Sequence, residues 1–276
     1  MFALIDSHNH LQDHRLNADR NRVIGEMKWE GIEHAIVNGT SEADWQEVQN
    51  LHLSDPAFLS PAFGLHPWKI KDRSKEWQEK LRYFLKNPRA SIGECGLDLW
   101  IADANLTDQV EVLRDHIKLS RELDRPLTLH CLKAWPELFS LLKESKPIPS
   151  FLLHSFGGPS HLIQPLLKLG AYFSFSGYFL HERKRKALEN FRLIPAERLV
   201  IESDAPDMAP PKSLMTPYQN ENSHHPADLR WSMEGLAEVR HESPESCAEQ
   251  CRSNSIRLFT LASIASTLPQ IPHENI

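Results

Sequence analysis

Phe2-Ala3-Leu4-Ile5-Asp6-Ser7-His8-Asn9-His10 opens the chain with a short apolar run that leads into two histidines one residue apart. In a strand, residues two apart point to the same side, so both imidazoles face one way at the strand's end. Two convergent imidazoles are half of a transition-metal site. The same device recurs along the sequence: an apolar strand-like run, then a polar residue that can bind a metal.

The runs predicted as strands are 3–5, 34–37, 59–63, 90–93, 127–130, 151–154, 172–176 and 199–202. Helical patterns lie between them, at 21–30, 42–53, 75–86, 108–123, 135–145, 159–169 and 182–191, and two more follow at 226–239 and 244–258. Strands that each hand over to a helix predict a closed parallel barrel, an α/β (β/α)8 TIM barrel with extra C-terminal helices. Glu30-Gly31, Asn87-Pro88, Asp124-Arg125-Pro126 and Leu169-Gly170 stop helices where the next strand must begin. No composition shift marks a boundary, so residues 1–259 read as one domain and 260–276 as a loosely held tail. The proline-rich stretch 206–226 reads as a long loop after the last strand.

Composition narrows the class. An apolar content of 41% and a charged content of 25% are ordinary for a globular protein. No apolar run nears the roughly 18 residues needed to span a bilayer. The N-terminus lacks the basic, apolar and small-residue regions of an export signal, and the four cysteines form no C-x-x-C pair. A reducing cytoplasm is therefore expected, with no membrane and no obligate protein partner. Cys247 and Cys251, four apart, suit the packed face of a helix. The net charge of −6 argues against a broad basic grip on nucleic acid, though not against local phosphodiester chemistry through metals.

The polar residues at the strand ends are His8, His10, His66, Glu94, His130, His154 and Asp204. All strand C-termini of such a barrel open onto one face, so residues over a hundred positions apart meet in one mouth. Alternation puts His130 with Thr128, His154 with Leu152 and Glu94 with Ile92 on the inner side, leaving Cys95 and Cys131 outward as packing residues. Imidazoles and carboxylates suit Zn, Mn, Co or Ni better than calcium. The set His8, His10, Glu94, His130, His154 and Asp204 exceeds the roughly three protein ligands of one catalytic zinc. It suits two divalent ions sharing a bridging carboxylate, and Glu94, from the middle of the barrel, is the natural bridge. His66 reads either as a substrate contact or as a loop brace, and Glu202 as a partner to a ligand histidine.

These residues resemble the TatD family of metal-dependent hydrolases, within the amidohydrolase-like superfamily. The resemblance is carried by Asp6-Ser7-His8-Asn9-His10-Leu11, Gly64-Leu65-His66-Pro67, Gly93-Glu94-Cys95-Gly96-Leu97-Asp98, Leu129-His130-Cys131, His154-Ser155-Phe156-Gly157-Gly158 and Ile201-Glu202-Ser203-Asp204-Ala205-Pro206. It implies a (β/α)8 barrel that hydrolyses phosphodiester bonds, a deoxyribonuclease with 3′-to-5′ exonuclease character acting on DNA ends or short single strands. It also implies a cofactor of two divalent ions (Zn, Mn, Mg, Co or Ni), one held by His8, His10, Glu94 and Asp204 and the other by Glu94, His130 and His154. Asp204 would accept a proton from the attacking water, which with Glu94 makes the catalytic pair.

Two stretches depart from the family pattern. Leu132-Lys133 stands where many members carry an arginine, and Asn222-Ser223-His224-His225-Pro226 stands where many carry Arg-Asn-Glu-Pro. Both would lie at the mouth, which makes Lys133 and His225, with His66, candidate substrate contacts. The basic run Arg183-Lys184-Arg185-Lys186 could steer phosphate or be a solvated face, and Trp68 and Trp100 could stack on bases or pack against loops. Hydrolysis of a small-molecule ester or amide, or of aminoacyl-tRNA, is the alternative activity. A metal-binding barrel without activity is the alternative class.

Overall fold

The computed structural model describes residues 2–218 and 224–261. One parallel sheet runs β1 (Leu4–Asn9), β2 (Ile32–Asn38), β3 (Leu59–Phe63), β4 (Ser91–Asp98), β5 (Leu127–Leu132), β6 (Phe151–Leu153), β7 (Ala171–Ser176) and β8 (Leu199–Glu202), each beside the next. The end of β8 returns to β1, where the Asp204 N–H donates to the His8 carbonyl (2.9 Å) and the His10 N–H to the Ala205 carbonyl (2.8 Å). The fold is a (β/α)8 barrel, as the sequence predicts.

Around it lie α1 (Arg20–Trp29), α2 (Trp45–Ser54), α3 (Trp77–Phe84), α4 (Leu106–Leu123), α5 (Trp135–Glu144), α6 (Ile163–Leu167), α7 (Arg185–Leu188), α8 (Asn190–Leu193), α9 (Leu229–Arg240) and α10 (Pro244–Phe259). The main core joins outward strand residues such as Ala35, Val37, Leu127 and Leu129 to helix faces such as Val112, Leu113 and Ile117 of α4. Cys247 and Cys251 pack in this core from α10, as their spacing suggests. Alternating with the outward residues, Ile5, Ile36 and Ala62 face inward and meet Leu261, while Leu152, Tyr172 and Val200 meet Leu258. The end of α10 and Leu261 just past it thereby plug the interior away from the polar strand ends.

Two predicted helices are broken into shorter pieces. In the 159–169 stretch, a 3₁₀ turn at Ser160–Leu162 precedes α6, which places Pro165 in the first helical turn, where its missing N–H costs little. The 182–191 stretch breaks into a 3₁₀ turn at Glu182–Lys184, α7 and α8. Neither of the first two pieces fully buries a residue, only Ala187 and Leu188 pack partly against the core, and so short a helix with so little burial is marginal. Of the loop expected at 206–226, residues 219–223 lie outside the described residues, as do 262–276 of the expected tail.

Strand β4 departs from simple alternation. Ile92 belongs to the outer core together with Cys95 and Leu97, so the expected pairing of Ile92 with Glu94 on the inner side does not hold. The register against β5 slips between Ile92 and Cys95, and one irregular step exchanges the two faces. Gly93 sits at that step with φ +154°, and a Cβ there would come within 2.7 Å of the Thr128 Cβ. At Gly96, a Cβ would strike the carbonyl oxygen of His130. Both glycines let β4 press against β5, which keeps Glu94 inward and Cys95 outward.

Candidate metal centre at the barrel mouth

Glu94 is buried at the centre of the mouth, and its two carboxylate oxygens face different neighbours. Oε2 lies 3.4 Å from His8 Nε2 and 3.3 Å from His10 Nε2. Oε1 lies 2.8 Å from His154 Nε2, 3.1 Å from His130 Nδ1 and 3.3 Å from His66 Nε2. Asp204 joins the first group, with Oδ1 at 3.2 Å from His8 Nε2 and 3.5 Å from His10 Nε2. His8 also stacks on His154, ring centroids 4.2 Å apart, so the two groups touch.

The donor set fits divalent metal. Atoms bound at roughly 2.0–2.2 Å to one ion stand about 2.8–3.6 Å from one another, the spacing found on each side of Glu94. The nitrogens behind the ligand atoms give the same answer. His10 Nδ1 lies 2.8 Å from the Asn38 carbonyl, which only accepts, so Nδ1 carries the proton and Nε2 turns a lone pair to the centre. His130 does the same with its nitrogens exchanged. Its Nε2 donates to Asp98 Oδ2 at 3.0 Å, which frees Nδ1.

The charges of the centre lean on one another. Burial works to raise the Glu94 carboxyl, but attraction to His154, His66 and His8 and a hydrogen bond from His10 hold it well below the usual range. Burial works to lower His10 and His154, and Glu94 with Asp204 or Glu202 keeps both well above an ordinary imidazole. His66 is the exception: burial dominates and pushes it down to about 4.

The profile of the TatD related DNase family matches residues 5–260. This chain belongs to the TatD family. It is a metal-dependent hydrolase. The 3'-5' ssDNA/RNA exonuclease TatD of Erwinia billingiae is 30% identical over 246 residues, which cover 88% of this chain and 94% of that protein. An uncharacterized metal-dependent hydrolase of Bacillus subtilis is 28% identical, covering 94% of this chain and 99% of its own. The crystal structure of a TatD homolog from Escherichia coli superposes with a TM-score of 0.84 at 26% identity, over 93% of this chain and 98% of that one.

All the expected ligand residues of this TatD-family chain meet in the mouth, but they are not all at strand ends. β1 continues past Ile5 to Asn9 and so contains His8, while Glu94 sits within β4 and His130 within β5. Glu202 Oε1 stands 3.7 Å from His154 Nδ1 as its buried ion-pair partner and also accepts from the Ser155 N–H and hydroxyl, each at 2.6 Å. His66 caps the turn that follows it, as a loop brace would, and its Nε2 faces Glu94. Lys133 is exposed, with its Nζ 4.2 Å from the centre of the Trp100 ring.

His225 is spent elsewhere. Its Nε2 pairs with Glu26 at 3.0 Å, and its Nδ1 accepts the Ala227 N–H at 3.1 Å, so it braces the loop against α1. Cys95 and Cys131 point away from the centre, and burial raises both thiols, as packing residues require.

Two contributors were not assigned from the sequence. Asp98 accepts from His130 and, at 2.7 Å, from Trp68 Nε1. It lies four residues past Glu94 on one strand, a spacing that keeps both on the same face, so the signal was present. Asp6 accepts the Ser203 N–H (2.9 Å) and hydroxyl (2.6 Å), which clamps β1 to the segment leading into Asp204. Burial pushes the Asp6 carboxyl up to about 7 against those hydrogen bonds. Among the described residues, no helix is long and apolar enough to cross a membrane.

Proposed function

We propose that this TatD-family chain hydrolyses phosphodiester bonds at the ends of single-stranded nucleic acid with two divalent ions bound on either side of Glu94. His8, His10 and Asp204 would hold one ion with Oε2, and His130 and His154 the other with Oε1. The observation that carries this reading is the division of the imidazoles between the two oxygens of one carboxylate. When bound, such a pair lowers the pKa of a water and offsets charge developing on the phosphoryl group.

The chain's own groups supply the rest. Asp204 faces the His8 side and can accept the proton of the attacking water. Trp68 and Trp100 are both more than half exposed beside the mouth, where a base could stack, and Lys133 lies against Trp100. Arg183 and Lys184 sit over the Tyr178 ring after β7 and add local positive charge for a phosphate backbone. His225 falls outside this set. The catalytic domain is taken as 1–259, and the free thiols suit a reducing cytoplasm.

The test is a panel of single-stranded DNA, bis-p-nitrophenyl phosphate, a carboxylic ester and an N-acyl amino acid, after EDTA treatment and after re-addition of Mn or Zn. Metal-restored turnover of the two phosphodiesters supports the proposal. Turnover confined to the ester or the amide transfers the site to small-molecule hydrolysis.

A further inference from the structure

His66 stands among the metal-facing groups, yet its hydrogen bonding differs from theirs. His10 and His130 each anchor the nitrogen behind the site on an acceptor, which leaves a lone pair in front. His66 anchors its rear nitrogen on a donor: the Trp68 backbone N–H gives its hydrogen to Nδ1 at 3.2 Å. A neutral ring that accepts at Nδ1 carries its proton at Nε2. That nitrogen faces Glu94 Oε1 at 3.3 Å with an N–H, so it has no lone pair to offer a metal.

The orientation is held from several sides. The His66 N–H donates to the Thr40 carbonyl at 2.8 Å, and its carbonyl accepts the Lys69 N–H at the same distance. The ring meets Trp68 and His130 edge-on, with centroids 5.1 and 4.6 Å away. Turning the ring by half a revolution would set carbon against the Trp68 N–H and lose the cap.

Resting on the proposed phosphodiester chemistry, we infer that His66 is a fixed, neutral hydrogen-bond donor to a non-bridging phosphoryl oxygen on the His130 and His154 side, and is not a ligand. No proton is transferred. The donor meets charge that grows on the phosphoryl oxygens as the transition state forms, the kind of contact whose loss costs about 10²–10³-fold in kcat.

Asparagine and glutamine separate the roles. The Asn oxygen of His66→Asn can keep the cap on Trp68 but cannot reach the Nε2 position, whereas the longer His66→Gln amide can place a donor there. Both variants should bind wild-type amounts of Mn or Zn by elemental analysis. His66→Asn should lose about 10²–10³-fold in kcat on bis-p-nitrophenyl phosphate and bind inorganic phosphate more weakly, and His66→Gln should recover most of both. Long-range ¹H–¹⁵N correlation on the metal-loaded wild type should find the proton on Nε2. Loss of metal from His66→Asn would make His66 a ligand, and unchanged kcat with unchanged phosphate affinity would leave it only a cap. Phosphate affinity and tautomer are read without turnover, so a wild type inactive on phosphodiesters overturns the functional reading alone.

Discussion

Replacing Asp98 by Asn should loosen metal on the His130 side of Glu94 and leave the His8 and His10 side intact. The Asp98 carboxylate accepts from His130 Nε2 (3.0 Å), Trp68 Nε1 (2.7 Å) and the Trp100 N–H (2.6 Å). A carboxamide has one acceptor oxygen for these groups. If it serves His130 and Trp68, its NH₂ opposes the Trp100 N–H; if it turns, the NH₂ meets an indole N–H that cannot accept. Either way a partly buried donor loses its partner, a cost of about 1–3 kcal/mol in stability. In the turned state, His130 can keep a hydrogen bond only by moving its proton to Nδ1, which removes the lone pair offered beside Glu94. Loss of such an outer partner typically costs about 10–100-fold in metal affinity, or about 1.4–2.7 kcal/mol. Titration of the metal-free variant by calorimetry should show one site weakened by that factor and the other unchanged. Equal weakening of both sites, or an affinity within twofold of wild type, would refute the tautomer argument.

Other expectations follow from the same geometry. Glu94→Ala should lose both ions together, read by elemental analysis, because each oxygen serves one side. Asp204→Asn should fold normally and lose about 10²–10⁴-fold in turnover, the span for a missing general base; near-normal turnover would move that role elsewhere. His34 and His116 are buried away from the centre and pushed down to about 4 by burial, so the unfolded chain, with imidazoles near 6.5, takes up protons first as pH falls. Their stabilisation is full above about pH 6.5 and erodes toward pH 4, by up to about 3 kcal/mol each. The melting temperature in EDTA should fall through that window, and a flat profile would contradict the assignment. Reversing the charges of Arg183 and Lys184 should weaken oligonucleotide binding at low salt and spare bis-p-nitrophenyl phosphate, with the difference fading near 0.15 M salt, where exposed charges are screened beyond roughly 8 Å. Identical kinetics on both substrates would make this run a solvated face.

The barrel and most of its centre could be read from local pattern. Strand and helix periods are properties of neighbouring residues, and the topology of a parallel barrel then forces His8, Glu94, His130 and Asp204 into one mouth however far apart they lie in the chain. The two glycines of β4 were visible too, but not their effect. Only the packed strands make Gly93 and Gly96 the places where β4 crowds β5, and only there does the slip that turns Glu94 inward arise. Long-range partners decided the rest. His225 was read as a substrate contact because its loop follows the last strand, yet Glu26 on α1 claims it. Sequence set His66 apart from the ligand His130 but left its role open between a substrate contact and a loop brace, and it placed no proton on either ring. One receives a backbone N–H and the other faces a carboxylate, so their protons sit on opposite sides of the ring relative to Glu94. A tautomer is set by what lies behind the imidazole, and for His130 that is Asp98, thirty-two positions away in the chain.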